Sequence, residues 1–244
     1  MLLPLISLVI AEAALETVPN EIMRHPSVKK HAQKSGKKPT EILLDRSYHH
    51  AAMIQGRLKS EWKRGRPDII HFALMEALST PLFFTGMLKV YVSTINNKVI
   101  FIGENLRIPK SYFRFEGLMM NLFKDKVIKK EQCNDNSNTN VLLKIYDNVT
   151  FESLIKNIVK PDKLIGLSTM GVQHTVEEIV SKNIAKNNNS HCAFVIGGFP
   201  KGHFSDNISE LFTYLCSIGK SGLEAHVVIA RILYECEKAL SLSY

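Results

Sequence analysis

An α/β fold, with a mostly parallel sheet covered by helices, is what this sequence predicts. Two observations carry the prediction. Short apolar runs of strand length alternate with longer helical stretches along the chain. The first run, over residues 2–11, is continuous rather than alternating, as in a strand buried on both faces. A third observation bears on function. Three expected strands in the last third end in loops of small residues, and open α/β sheets gather ligands at the carboxyl ends of their strands.

The elements follow in order. Residues 2–11 read as a first strand. The apolar start has no leading basic stretch, and Glu12 and Glu16 follow at once, so a buried strand is expected rather than a signal peptide. Residues 19–40 are polar and basic with Pro19, Pro26 and Pro39, and form short helices or a long surface loop. Residues 41–44 read as a short strand, 47–53 as the start of a helix, and 56–65 as an exposed basic stretch. Pro67 suits a first helical position and Asp68 the positive end of the helix dipole, opening a buried helix over 69–78 that closes near Pro81. Residues 90–93 and 99–102 form a hairpin around Asn96-Asn97. Pro109 opens a helix running to Phe123, with Phe113 and Phe115 packed inward. A loop over 132–140 and a strand over 141–146 follow.

The last third is the clearest. A strand over 164–167 ends in Ser168, Thr169 and Gly171, and a helix spans 175–184 with Glu177 and Glu178 in its first turn. A strand over 193–196 runs into Gly197-Gly198-Phe199-Pro200-Lys201-Gly202. A strand over 212–216 runs into Ser217-Ile218-Gly219-Lys220-Ser221-Gly222, and an amphipathic helix over 223–240 closes the series. The three loops together are suited to one nucleotide-like pocket.

Charge is concentrated. Of a net +8, residues 24–66 hold 12 Lys/Arg against 3 Asp/Glu. A local basic field suits a polyanion. The four cysteines, at 133, 192, 216 and 236, form no CxxC pair, and Cys192 and Cys216 sit in apolar runs as core residues. The histidines, among them His49, His71, His174, His203 and His226, have no metal-ligand spacing. No apolar run approaches the ~18 residues of a membrane span. The expectation is a reduced, intracellular chain with no metal and no membrane partner.

The glycine loop at 197–202 is neither a Walker loop, lacking Gly-Lys-Ser/Thr, nor a GxGxxG fingerprint. Alone, it is a plain turn that uses glycine for its torsions. Arg66 and Asp68, two apart around Pro67, form either a local ion pair at a helix start or part of a nucleic-acid site. Lys110 and Arg114 are four apart and share a helical face, with Arg107 just before; this is a solvated basic face or a phosphate-binding one.

A resemblance separates these alternatives. The strings Gly197-Gly198-Phe199-Pro200-Lys201-Gly202-His203-Phe204 and Ser217-Ile218-Gly219-Lys220-Ser221-Gly222-Leu223 resemble the cofactor loops of the ribosomal RNA pseudouridine-N1 methyltransferases. So do Arg66-Pro67-Asp68-Ile69-Ile70-His71, Arg107-Ile108-Pro109-Lys110, Tyr112 to Phe115, Ala14 to Val18, and Leu43-Leu44-Asp45. The matches run in order over nearly the whole chain. Lys110 stands where many relatives have Arg, and Gly222 where some have Pro.

The resemblance implies a single SPOUT-type domain over 1–244 with a trefoil knot near its C-terminal end. A basic insertion lies around 19–40 and a hairpin-containing extension around 85–125. It implies S-adenosyl-L-methionine bound by Leu167, Gly197, Gly198, Gly202, Ser217, Ile218, Gly219 and Leu223. Arg66 and Asp68 stand at the catalytic position, and Arg66, Arg107, Lys110 and Arg114 bind RNA. The implied partners are small-subunit ribosomal RNA and a second copy of the chain. The implied place is the cytoplasm, or the nucleolus if the source is eukaryotic. The alternatives are an RNA-binding ribosome-assembly factor in which methyl transfer is secondary or absent, and a generic nucleotide-binding α/β enzyme, which the missing phosphate-loop motifs disfavour.

Overall fold

A computed structural model describes residues 6–104, 106–130, 141–184 and 190–242. The expected loop at 132–140, with Cys133, and residues 2–5 of the first expected strand lie outside them.

The centre is β1 (Ile6–Ala13), whose β-branched run is buried almost throughout. It pairs in parallel with β2 (Leu88–Thr94) on one side and β7 (Cys192–Gly197) on the other. Beyond β7 lie β6 (Lys163–Gln173) and then β8 (Tyr214–Ser217), also parallel. Beyond β2 the sheet turns antiparallel through β3 (Val99–Ile102), β5 (Val141–Tyr146) and β4 (Val127–Lys129). The eight strands form one sheet in the order β4-β5-β3-β2-β1-β7-β6-β8. The expected hairpin is β2–β3, with Asn97 at φ +54° in its turn, and it belongs to this sheet.

Side chains of β1 alternate between two cores. Ile6, Leu8 and Ile10 join a cluster with α3 (Pro67–Ala77), α4 (Pro81–Phe84), α5 (Tyr112–Asp125), α7 (Val176–Asn183) and α9 (Ala225–Leu240). Val9 and Ala11 join a second cluster with α6 (Phe151–Ser153), the π-helical turn that continues it (Leu154–Val159), and α8 (Asp206–Ser209). The crossover from β6 to β7 thus lies on one face and that from β7 to β8 on the other. A third cluster packs α1 (Pro26–Lys34) on α2 (Arg46–Gln55).

Several expectations are corrected. Residues 41–44 form no strand; a 3-10 turn at Pro39–Glu41 leads to a single bridge between Leu43 and Thr17. The 56–65 stretch is not all exposed: Lys63 and Arg64 are buried because carboxylates from the β1 exit meet them. β6 does not stop at Leu167 but continues through Ser168, Thr169 and Gly171, with a register shift against β8. α5 starts at Tyr112, not at Pro109, because the Pro109 carbonyl accepts a hydrogen bond from His71 Nε2 at 2.7 Å. Lys110 therefore precedes the helix. Phe115 is fully buried as expected, but Phe113 points to solvent, 81% exposed. Cys192 and Cys216 are core residues. No described helix is long and apolar enough to cross a membrane.

Two buried polar groups tie the basic segment down. His49 accepts the Asp45 amide at Nδ1 (3.1 Å), so its Nε2–H donates to His31 Nδ1 (3.0 Å). Burial, with His31 alongside, pushes the His49 imidazole down to about 4 against the opposing pull of Asp45. Glu16, just past β1, accepts from Arg64 Nε at 2.7 Å and Nη2 at 2.5 Å, and also from Asn96 Nδ2 of the β2–β3 turn. Burial lowers the Arg64 guanidinium's affinity for its proton, but the hydrogen bond and charge of Glu16 outweigh it, and the net shift is upward. Glu16→Ala strands a buried arginine and should cost about 3–5 kcal/mol in urea unfolding. A loss of about 1 kcal/mol or less, the scale of an exposed pair, would show that water reaches Arg64.

Candidate functional site

The carboxyl ends of β7 and β8 and the irregular middle of β6 open into a cavity of about 350 Å³. Three chain segments wall it. Leu167, Ser168 and Thr169 come from the middle of β6, residues 197–204 follow β7, and residues 217–224 lead from β8 to α9. Ile69, one turn into α3, and Val228 of α9 close the apolar side.

Of the residues expected to bind a cofactor, Leu167, Gly197, Gly202, Ser217, Ile218, Gly219 and Leu223 line this cavity. Gly198 does not. Its amide donates to the Ala11 carbonyl at 2.8 Å and its carbonyl accepts from Ala14 at 2.7 Å. A Cβ there would lie 2.7–2.9 Å from Ile10, Ile70 and Ala13, so glycine at 198 lets the loop seat against β1 and α3. Gly202 holds a left-handed φ of +92°, which favours glycine. The Ser217 hydroxyl donates to the Gly219 carbonyl at 2.7 Å and so folds the last loop on itself.

The 197–205 loop is braced from outside the cavity. The Lys63 ammonium lies 4.5 Å from the Phe199 ring centre and 2.8 Å from Glu12 Oε2, which also accepts from the Ser205 amide at 3.1 Å. Phe199, Phe204 and Phe212 stack edge to face beneath it.

Arg66 lines the cavity mouth from the start of α3. Asp68 grips it bidentately: Nε donates to Oδ1 and Nη2 to Oδ2, both at 2.8 Å. That hydrogen bond is the main cause of an upward shift of the Arg66 guanidinium; burial opposes it, and the charges of Asp68, Glu224 and Asp45 reinforce it. Glu224, the residue before α9, also lines the cavity, so the two helix starts meet there with opposite charges. Glu224 was not singled out in the sequence; the available signal was a carboxylate at a helix start. Lys63 and Glu12 were missed as braces because they lie far from the loop in sequence.

Arg107, Lys110 and Arg114 are exposed and do not line the cavity. Pro109, between Arg107 and Lys110, is held against α3, whose Ile69 lines the cavity, by the hydrogen bond from His71 to its carbonyl. The Tyr112 hydroxyl reaches Asp45 Oδ2 at 3.2 Å, and burial, with Asp45 and Glu116 nearby, pushes that phenol far up. Among the described residues no group of three His, Cys, Asp or Glu is placed to hold a metal ion.

The model of the EMG1/NEP1 methyltransferase family matches residues 8–237. The chain is 40% identical over 236 residues to the ribosomal RNA small subunit methyltransferase Nep1 of Thermococcus sibiricus, covering 97% of this chain and 99% of the relative. It is 38% identical to the protein of the same name from Staphylothermus marinus, over 95% of each. Among solved structures, Archaeoglobus fulgidus Nep1 bound to S-adenosylhomocysteine superimposes with a TM-score of 0.79 at 30% identity, over 96% of this chain and 98% of that one.

The geometry separates two glycines. Gly219→Val adds a side chain toward open cavity, where a Cβ has only Ser221 O at 3.8 Å. It should change stability by about 0.5 kcal/mol or less. Gly198→Val overpacks the core and should cost about 1–3 kcal/mol in urea unfolding. Equal losses in the two variants would contradict this division.

Proposed function

Because the chain belongs to the EMG1/NEP1 methyltransferase family, we propose that it transfers the methyl group of S-adenosyl-L-methionine to N1 of a pseudouridine in small-subunit ribosomal RNA, as a step in the making of that subunit. The observation that carries this reading is the cavity between the ends of β7 and β8 and the middle of β6, lined by Arg66. Its volume is within the range of small-molecule sites. Leu167, Ile218 and Leu223 offer apolar surface to a purine, and the backbone of the glycine-bearing loops offers hydrogen bonds at close approach.

The cofactor supplies a methyl group already activated on sulfonium, so the protein's work is positioning and proton removal. Arg66 holds the target nucleotide or its phosphate at the cavity mouth. Asp68, both oxygens engaged by Arg66, fixes that guanidinium and is an orienting group before it is a base. Arg107, Lys110 and Arg114 bind phosphates around the target, and Phe113 between them gives an unpaired base a ring to stack on. A single-stranded loop is the cheapest place from which to extract the base. The rest of the reading is a single SPOUT domain with a C-terminal trefoil knot, working where ribosomal RNA is: the cytoplasm, or the nucleolus of a eukaryote. The opposite-face crossovers on either side of β7, with α9 returning to lie between α7 and α3, support the knot. An experimental structure in which the chain after β8 passes outside the β6–α7 loop would remove it.

Labelled S-adenosyl-L-methionine and small-subunit RNA should give one methyl at a pseudouridine N1 by mass mapping, lost with Gly219→Val. A wild type that binds the RNA but neither the cofactor nor methyl label would favour the assembly-factor alternative. Replacing Arg107, Lys110 and Arg114 with Ala should flatten the dependence of RNA binding on log salt by about 2 while sparing cofactor affinity. Coinciding slopes would make the trio a solvated face.

The second copy in the proposed homodimer covers the outer side of α3 and α9, where Phe72, tilted against His226, and Tyr234 are exposed. Light scattering should give twice the chain mass; a monomer at working concentration would rule this out.

A further inference from the structure

A second cavity, of about 300 Å³, opens at the far end of α5. Four lysines line it from three parts of the chain: Lys37 after α1, Lys98 at the β2–β3 turn, and Lys124 and Lys126 around the end of α5. A helix C-terminus attracts nearby cations, which accounts for Lys124 and Lys126. It does not account for Lys37 and Lys98, which arrive from elements distant in sequence.

The charges there are incompletely matched. Asp147 pairs with both Lys98 and Lys126, the latter at 2.8 Å. Glu41 also lines the cavity, but its carboxylate accepts the Lys38 amide at 3.2 Å. Lys37 and Lys124 have no ion pair among the described residues. The hydrogen bond that Lys37 Nζ makes is to a thioether, Met120 Sδ, at 3.4 Å. A thioether is a weak acceptor; the Glu116 carboxylate feels the Lys37 charge, but no ion pair forms between them.

From this cavity one edge of α5 leads back to Arg114. Arg114, Gly117, Asn121 and Lys124 recur at helical spacing along one edge of α5. Arg114, Asn121 and Lys124 are exposed, and the space beside Gly117 is open, with nothing within 4 Å of where a Cβ would stand. The exposed carboxylate of Asp125 lies at the C-terminal end of this edge, four residues after Asn121. The edge runs about 15 Å from Arg114 to Lys124 at the α-helical rise.

We infer that this cavity is a second phosphate-binding site, taking a backbone phosphate of RNA that flanks the target nucleotide, with the outer edge of α5 as the track between the two sites. The inference rests on the reading of the chain as an RNA methyltransferase and assigns a task to Lys37 of the basic insertion. Lys37 and Lys124 supply the charge, while Lys98 and Lys126, held by Asp147, shape the wall.

The test uses the full chain and two RNAs: a hairpin carrying the target loop, and the same hairpin extended by single strands at both ends. Lys37→Ala combined with Lys124→Ala should reduce the salt slope for the extended RNA by roughly 1.4–1.8, the share of two phosphate contacts. The slope for the bare hairpin, S-adenosylhomocysteine binding and the melting temperature should stay at wild-type values. Gly117→Glu, which has room, should weaken binding of the extended RNA alone by putting a negative charge on the track. Unchanged slopes on the extended RNA, with wild-type methyl transfer intact, overturn this site and leave the enzyme reading standing. Equal losses on both RNAs also overturn it, since the lysines then serve the target loop. A wild type that neither binds RNA nor transfers methyl overturns both readings.

Discussion

The buried Glu16–Arg64 pair sets the position of much that follows it. Glu16 lies on the strand exit, where three other parts meet it: Arg64 shortly before α3, the β2–β3 turn through Asn96, and the Leu44 amide, which donates to the Glu16 carbonyl. Two residues beyond Arg64, the chain delivers Arg66 to the cavity mouth. Between them Gly65 accepts the Arg46 amide, fixing the start of α2 to the same point. A flexible lysine-rich loop leading into α3 would leave Arg66 free to swing. A buried bidentate pair removes that freedom, because breaking it strands a charge in a medium that solvates it poorly.

The same logic shapes the cavity. Its walls are loops, yet few are loose. Asp68 holds Arg66, Ser217 closes the last loop, Glu12 and Lys63 brace the loop after β7, and the three phenylalanines beneath it supply apolar packing. Methyl transfer, the chemistry in the family's name, demands this kind of support, since small displacements in a near-attack arrangement cost much of the rate.

What the sequence revealed and what it hid divide along one physical line. Small residues after apolar runs, and a proline–carboxylate helix start, are local signals, and they located most of the cavity lining and α3. Features made by partners distant in the chain were not legible. Arg64 counts as one more basic residue until Glu16, forty-eight positions earlier, is seen to neutralise it. Gly198 is indistinguishable from Gly197 until Ile10 and Ile70 are found where its side chain would go. Pro109 reads as a helix opener because nothing local announces that His71 claims its carbonyl. Phe113 reads as core because hydrophobicity does not say which side of a helix start faces water. Residues 168–173 read as a loop because small residues look alike in a turn and in an irregular strand.

The order of the sheet has a consequence for how the protein is made. Among the described strands β1 is made before the others, but it lies at the centre, and one of its two neighbours, β7, is made late. Until Cys192 and its successors appear, the side of Ile6 to Ala11 that they will cover is an unpaired apolar edge. β2, which pairs with its other side, follows much earlier in the chain. Long-range pairing of this kind is slow and prone to aggregation. A nascent chain of this architecture therefore gains most from chaperone cover, or from slow expression at low temperature, during the interval between its first and last thirds.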